Sequence, residues 1–150
     1  MKLKVAIIMG SKSDMPIMQK SADFLGEHGI GSEIFVASAH RTPEKVHDIA
    51  KRVEKEFDVV IAGAGLAAHL PGVMASLVYK PVIGVPIESG ALKGMDSLLA
   101  IVQMPPGIPV ATVAINGSKN AAILAMQIMA LKDEGIAVSY SRFREEMKKG

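Results

Sequence analysis

The chain of 150 residues is 49% hydrophobic but only 4% aromatic, so its core must be built from aliphatic side chains, alanine and methionine. The net charge of +2 comes from interspersed charges without a basic stripe or interleaved aromatics, which argues against nucleic-acid binding. The absence of cysteine excludes disulfides and cysteine-based zinc sites and fits a reducing compartment.

The N-terminal residues and the uncharged segments predict neither a secretory signal nor a membrane-spanning helix. Residues 1–5 lead directly into a strand-like segment, without the long apolar region and cleavage site of a signal peptide. The longest uncharged stretch, residues 59–79, contains glycine, histidine and proline, which is typical of a strand, a loop and a helix. We therefore expect one soluble, cytoplasmic domain over residues 1–150, with no nucleic-acid or membrane partner.

The first strand and helix are predicted over residues 3–9 and from Asp14 to about Gly29. Residues 3–9 form an apolar, β-branched run that ends at Gly10, as expected for a strand buried on both faces. Asp14 is placed to cap the helix, which has a proline in its first turn and ends near Gly29.

A second strand and helix follow the same pattern. Residues 32–37 predict the strand, and Pro43 begins the helix with Thr42 placed as its cap. Apolar residues recur along this helix at the spacing of one buried face: Val46, Ile49, Ala50 and Val53.

Three more strands are predicted over residues 58–62, 81–86 and 110–115. The connecting segments are a loop over residues 63–72, helices over about 73–79, 95–103 and 121–132, and a turn at Asn116-Gly117. The charged tail over residues 140–149 predicts a surface helix.

This alternation predicts an α/β fold with an open parallel sheet of about five strands, helices on both faces and a C-terminal helix. The helix over residues 121–132 is apolar on nearly all sides, which a buried subunit interface would explain. A C-terminal tail that covers this helix would explain it nearly as well, so the pattern leaves both interpretations open.

The first strand-to-helix turn is Gly10-Ser11-Lys12-Ser13-Asp14. Successive backbone N–H groups, hydroxyls and a helix N-terminus suit a phosphate or a sugar. The turn lacks the ending of a Walker loop and the second and third glycines of the dinucleotide fingerprint. An ordinary turn capped by Asp14 explains the same residues, so both interpretations stay open.

The second turn is Ser38-Ala39-His40-Arg41-Thr42-Pro43, and in a parallel sheet it opens on the same edge as the first. Arg41 can bind a phosphate through two parallel hydrogen bonds. His40 can gain or lose a proton near neutral pH. A structural histidine and a solvated arginine are the weaker interpretation, because the pair faces another strand-end turn.

The loop after the third strand combines flexible glycines with small side chains and a histidine. Gly63 and Gly65 allow close backbone approach, and Ala67 and Ala68 precede His69. The loop can enclose a flat ligand or form a tight apolar pocket. His69 can equally be a structural hydrogen-bonding residue.

The other two histidines, His28 and His47, are predicted to lie on the surface, with the first near a helix C-terminus. The four histidines form no metal-binding pattern, so no metal site is predicted. Without a GxSxG elbow or a cysteine nucleophile, acyl-enzyme chemistry is also disfavoured. The turns instead indicate a site for a small phosphorylated molecule.

Together these segments closely resemble the N5-carboxyaminoimidazole ribonucleotide mutase family, class I type, also called the catalytic subunit of phosphoribosylaminoimidazole carboxylase. The motifs that carry the resemblance span roughly residues 5–130 and are specific in combination. They are Met9-Gly10-Ser11-Lys12-Ser13-Asp14, Ser38-Ala39-His40-Arg41-Thr42-Pro43, Ala67-Ala68-His69-Leu70-Pro71-Gly72, Val102-Gln103-Met104-Pro105, Gly107-Ile108-Pro109-Val110 and Asn120-Ala121-Ala122.

The resemblance implies a three-layer, flavodoxin-like (Rossmann-like) domain assembled as a homo-octamer. It implies a cofactor-free step of purine biosynthesis that moves a carboxylate from the exocyclic nitrogen of an aminoimidazole ribonucleotide to a ring carbon, through carbon dioxide. His40 matches the general acid and base. The other implied site residues bind the ribonucleotide or enclose the ring and carbon dioxide: Gly10, Ser11, Ser13, Asp14, Ser38, Ala39, Arg41, Gly63, Ala64, Gly65, Ala67, Ala68, His69 and Leu70.

The chain departs from the common family pattern at several positions. Leu66 stands where glycine is usual, Pro106 stands where many relatives have arginine, and Glu88 introduces a carboxylate that we expect near the mouth of the site. These changes bear on whether the carboxyl group comes from the carbamate or from free carbon dioxide. Direct carboxylation of aminoimidazole ribonucleotide is therefore the alternative enzyme activity, and a non-catalytic nucleotide-binding module is the alternative from another class.

Overall fold

The computed structural model describes residues 2–150 and places five parallel strands in one sheet. In sequence order the strands are β1 (Lys4–Met9), β2 (Gly31–Val36), β3 (Val59–Gly65), β4 (Val82–Ile87) and β5 (Ala111–Thr112). Their spatial order is β2-β1-β3-β4-β5. This confirms the predicted α/β architecture, because each crossover returns to a parallel strand through a helix.

Within residues 2–150, six α-helices cover the two faces of the sheet in a three-layer arrangement. They are α1 (Met15–Glu27), α2 (Pro43–Glu56), α3 (Leu70–Leu77), α4 (Met95–Val102), α5 (Ser118–Ala130) and α6 (Glu134–Lys148). Alternate side chains of β1 point to opposite cores, with Ile7 packed towards α1 and α5 and Ile8 towards α2 and α3. None of the described helices combines the length and the apolar character that crossing a membrane requires.

The register of the central strands brings their carboxyl ends to one level. Met9 at the end of β1 lies opposite Val36 of β2 and Gly63 of β3. The segments that follow these strands therefore leave the sheet side by side. This is the edge on which parallel sheets bind ligands.

Several predicted boundaries are wrong. Residues 63–65 extend β3, since they pair with residues 85–87 of β4, and α3 starts at Leu70 rather than at residue 73. The loop of ten residues is thereby reduced to residues 66–69. The last helix begins at Glu134 rather than at residue 140, because Asp133 accepts a hydrogen bond from the Ile136 N–H at 3.0 Å. Strand β5 has two residues instead of six.

The two predicted caps, Asp14 and Thr42, make no side-chain capping bond. Thr42 instead bonds the backbone of Ser38: its Oγ1 accepts from the Ser38 N–H at 2.9 Å and donates to the Ser38 carbonyl at 3.2 Å. The side chain thus closes the turn that carries His40, rather than the helix.

The apolar helix α5 is covered within the chain by α1 and α6. Ala121, Ala125 and Met126 are buried in this layer. Phe143 of α6 packs edge-on against Phe24 of α1, with ring centroids 5.2 Å apart. The sequence left open whether a subunit interface or the C-terminal tail covers this helix, and in the structure the C-terminal tail covers it.

His28 is a half-buried member of the same cluster, which contradicts its predicted surface position. Its Nδ1 lies 2.9 Å from the Phe24 carbonyl, and its ring meets the Phe143 ring edge-on. His47 is exposed on α2, as predicted.

Candidate active site

The segments after β1, β2 and β3 meet at the carboxyl edge of the sheet around a cavity of about 480 Å³. A volume of this order suits a small-molecule ligand. The lining includes every sequence-predicted site residue except Gly63: Gly10, Ser11, Ser13, Asp14, Ser38, Ala39, His40, Arg41, Ala64, Gly65, Ala67, Ala68, His69 and Leu70. Leu66 and Ser89 complete it.

The first turn folds into a single 3₁₀ turn over Lys12–Asp14 before α1. Ser11 begins this turn, and its Oγ accepts from the Ser13 N–H at 3.3 Å and from the Ser13 Oγ at 2.9 Å. The two hydroxyls therefore lie side by side at the cavity. This arrangement presents hydroxyl groups and a helix N-terminus to an anion.

Asp14 lies between these hydroxyls and Arg41. Burial raises the pKa of the Asp14 carboxyl above its ordinary value, although a hydrogen bond with the Ser11 backbone and the positive charge of Arg41 oppose the rise. A carboxylate that has lost part of its hydration gains free energy from new hydrogen-bond donors. Asp14 is therefore suited to accept hydrogen bonds from sugar hydroxyls.

The second turn connects directly to the first through Arg41. The Arg41 Nη2 donates to the Gly10 carbonyl at 3.0 Å, and the Arg41 N–H donates to the Ser38 Oγ at 3.1 Å. The first bond holds the guanidinium beside the first turn, and the second fixes the backbone of Arg41. Its remaining N–H groups are available to a phosphate placed there.

The loop after β3 brings His69 against His40. The Nδ1 of His69 lies 2.6 Å from the Nε2 of His40, and the rings meet edge-on with centroids 4.7 Å apart. One of these two nitrogens carries the shared hydrogen and the other accepts it. Both rings are exposed to the cavity, so the pair can exchange protons with a bound molecule.

The glycines before this loop have two different functions. Gly63 is buried inside β3, where a Cβ would collide with the Met18 side chain, so it permits packing and does not reach the cavity. Gly65 lies at the cavity, where a Cβ would stand 3.1 Å from the Ser89 Cβ. It therefore permits close approach of the loops after β3 and β4.

Sequence reasoning missed Ser89 as a residue of the cavity. Ser89 lines the cavity because it follows directly on the end of β4, at the same sheet edge as the other turns. Glu88 lies outside the lining, and its N–H donates to the Asn116 Oδ1 at 2.9 Å. Pro106 lies outside the lining as well. The signal for Ser89 was available in its position after the fourth strand.

Over residues 2–150, no group of three or more His, Asp or Glu side chains converges in a geometry that could hold a metal ion. The functional groups that line the cavity are imidazoles, hydroxyls, a carboxylate and a guanidinium.

A family model described as AIR carboxylase matches residues 4–150. The N5-carboxyaminoimidazole ribonucleotide mutase of Pyrococcus abyssi is 56% identical over 147 residues, covering 97% of this chain and 84% of that protein. The enzyme of the same name from Methanocaldococcus jannaschii is 59% identical over 145 residues, covering 97% and 90%. The crystal structure of Treponema denticola PurE superimposes with a TM-score of 0.91 at 35% identity, covering 99% of this chain and 93% of that one.

Proposed function

The chain belongs to the AIR carboxylase family, and from this membership we propose that it is a mutase of purine biosynthesis. Its reaction converts N5-carboxyaminoimidazole ribonucleotide into 4-carboxy-5-aminoimidazole ribonucleotide. The observation that carries the proposal is the His40–His69 pair in one cavity with the serine-rich turn and Arg41. The cavity thus joins a proton-transfer group to a phosphate-binding end.

The ribonucleotide is oriented by the two ends of the cavity. Its phosphate lies against the hydroxyls of Ser11 and Ser13 and the guanidinium of Arg41, and its ribose hydroxyls donate to Asp14. The imidazole ring then extends towards His40 and the loop over residues 66–69. Contacts to the phosphate, remote from the reacting ring, hold the imidazole carbons in position beside His40, and no covalent intermediate is needed.

The carboxylate moves in two steps. The bond between the exocyclic nitrogen and the carboxyl carbon breaks, and its electron pair returns to the nitrogen. His40 in its protonated form gives this nitrogen a proton, which yields aminoimidazole ribonucleotide and carbon dioxide. The ring carbon then attacks carbon dioxide to form the new C–C bond, and His40 removes the proton from that carbon. Substrate and product are isomers, so the reaction consumes no cofactor and we propose none.

His69 serves as a positioning residue for His40 in this scheme. The 2.6 Å contact fixes the ring orientation of His40 and determines which nitrogen carries the hydrogen. Because the second ring can accept or return a proton, the pair can remain hydrogen-bonded through both steps. The loop that carries His69 also encloses the ring end of the cavity.

The source of the carboxyl group decides between the mutase and the second candidate, direct carboxylation. That candidate is favoured by a 46% identical relative named phosphoribosylaminoimidazole carboxylase, chloroplastic, from Vigna aconitifolia, of which this chain spans 26%. Purified protein, free of ATP, is given either the carbamate or aminoimidazole ribonucleotide with bicarbonate. We expect faster product formation from the carbamate at low bicarbonate. If product forms only from aminoimidazole ribonucleotide at raised bicarbonate, and none forms from the carbamate, the enzyme is a direct carboxylase instead.

We also propose that residues 1–150 act as one catalytic domain of a cytoplasmic homo-octamer. The octamer is supported by an apolar stripe on α4 and the preceding loop, whose large side chains are about half exposed: Leu92, Met95, Leu99 and Val102. The number of subunits comes from the family resemblance. We expect light scattering to give the mass of eight chains, and a stable monomer would contradict the proposal. The absence of cysteine supports a cytoplasmic location, because proteins of a reducing compartment do not depend on disulfides.

A further inference from the structure

Ser89 lines the cavity, but it belongs neither to the phosphate-binding groups nor to the histidine pair. It follows β4 closely, whereas His40 follows β2 and the serine-rich first turn follows β1. The hydroxyls of the other lining serines form hydrogen bonds within their own turns: Ser11, Ser13 and Ser38. Among residues 2–150 the Ser89 hydroxyl has no hydrogen-bond partner, so it is available to a ligand in the cavity.

The backbone around Ser89 is held from two sides. The Glu88 N–H donates to the Asn116 Oδ1 at 2.9 Å, and the Asn116 N–H donates to the Pro86 carbonyl at 2.7 Å. On the other side, a Cβ on Gly65 would lie 3.1 Å from the Ser89 Cβ, so the missing side chain lets Ser89 approach the end of β3. These contacts give Ser89 a defined position in the wall of the cavity.

The strand order places Ser89 and His40 on opposite sides of the cavity. Strands β1 and β3 lie between β2 and β4. Neighbouring strands are about 4.8 Å apart, so the ends of β2 and β4 are separated by roughly 14 Å. His69 lies 2.6 Å from His40 through their ring nitrogens, and both imidazoles therefore belong to one side. A planar ring bound between the two sides presents one edge to the histidines and another edge to Ser89.

The reacting edge of the substrate ring determines which atom reaches Ser89. In the proposed reaction His40 serves the exocyclic nitrogen and the neighbouring ring carbon C4, so these two groups face the histidines. Of the remaining ring positions, N1 carries the ribose, C2 carries only a hydrogen, and N3 has a lone pair that accepts a hydrogen bond. N3 is therefore the polar ring atom that the histidine pair leaves without a partner.

We propose that the Ser89 hydroxyl donates a hydrogen bond to N3 and thereby fixes the orientation of the imidazole ring about its bond to the ribose. The inference rests on the proposed mutase function. Rotation of the ring by half a turn about that bond would direct N3 and C2 towards His40, in place of C4 and the exocyclic nitrogen. Ser89 is then a substrate-binding residue that selects the carbon that reacts.

The test compares two ligands that differ at one ring atom. The first is 4-carboxy-5-aminoimidazole ribonucleotide, and the second is its pyrrole analogue, in which a C–H group replaces N3. Titration calorimetry with the full-length protein measures the Kd of each ligand. We expect Ser89→Ala to raise the Kd of the imidazole ligand by about 3–10-fold, the range of one neutral hydrogen bond. The Kd of the pyrrole analogue should not change, because that ligand lacks the acceptor.

The pyrrole analogue and a second variant provide the controls. An unchanged Kd of the analogue shows that the cavity of the Ser89 variant is intact. Ser141→Ala removes an exposed hydroxyl from α6, outside the cavity lining, and should bind both ligands as the wild-type chain does.

The possible outcomes separate the two proposals. An unchanged Kd of the imidazole ligand in Ser89→Ala, or an equal rise in the Kd of both ligands, would overturn the contact with N3 and leave the mutase function standing. Failure of the wild-type chain to bind the imidazole ligand and to convert the carbamate would overturn the proposed function and this inference together.

Discussion

Replacement of His40 by asparagine is expected to lower turnover by about 10²–10⁴-fold. Asparagine can retain a hydrogen bond to His69, but it cannot protonate the leaving nitrogen or take the ring proton. The phosphate end of the cavity is unchanged, so affinity for the ribonucleotide should stay within about tenfold. Single-turnover kinetics measure the chemical step, and calorimetry with aminoimidazole ribonucleotide measures binding.

The matched control is His47→Asn, which removes an exposed imidazole from α2 outside the cavity. We expect this control to leave both turnover and affinity unchanged. Undiminished turnover in the His40 variant would exclude His40 as the acid and base. Loss of binding together with loss of turnover would instead assign the residue to the architecture of the second turn.

Replacement of Arg41 by alanine is expected to weaken ribonucleotide binding by about 1.5–3 kcal/mol, the range of a charge-assisted hydrogen bond. At 1.4 kcal/mol per tenfold change, this corresponds to roughly 10–150-fold in Kd. The reason is that Arg41 is held beside Gly10 with further N–H groups free for a phosphate. Calorimetric titration compares the phosphorylated ligand with its nucleoside, which lacks the phosphate.

The nucleoside comparison identifies the contact. If Arg41 binds the phosphate, the variant should lose affinity for the ribonucleotide and bind the nucleoside as before. Arg142→Ala, which removes the same charge from the exposed surface of α6, is the control and should bind both ligands normally. Equal affinity of the Arg41 variant and the wild-type chain for the ribonucleotide would assign Arg41 to the turn alone.

Much of the architecture could be predicted because its signals are local. The β-branched run over residues 3–9 and the periodic apolar face of Val46, Ile49, Ala50 and Val53 each specify one element and its buried side. Alternation of such elements then requires parallel pairing with helical crossovers. The first two strand-end turns, which hold His40 and Arg41, could be placed at one edge on the same grounds.

The errors have two physical causes: pairing between distant strands, and local side-chain hydrogen bonds that the sequence pattern does not specify. Residues 63–65 have the composition of a loop, yet they extend β3 because β4 pairs with them. Thr42 has the sequence position of a helix cap, but its hydroxyl forms hydrogen bonds with the Ser38 backbone instead. Asp133 caps α6 earlier than the charged tail indicates, because a single side-chain bond to Ile136 begins the helix.

The sequence by itself determined the order of strands and helices, the two polar turns and the residue types that can bind a phosphate and transfer a proton. Only the tertiary structure decided which of these groups touch. His40 and His69, 29 positions apart, form a pair because β2 and β3 flank β1 and end at one level. Side-chain periodicity and turn preferences act over a few residues, whereas strand order and register act across the whole sheet. The same long-range packing places Gly63 in the core, Ser89 in the cavity and Leu66 across its rim.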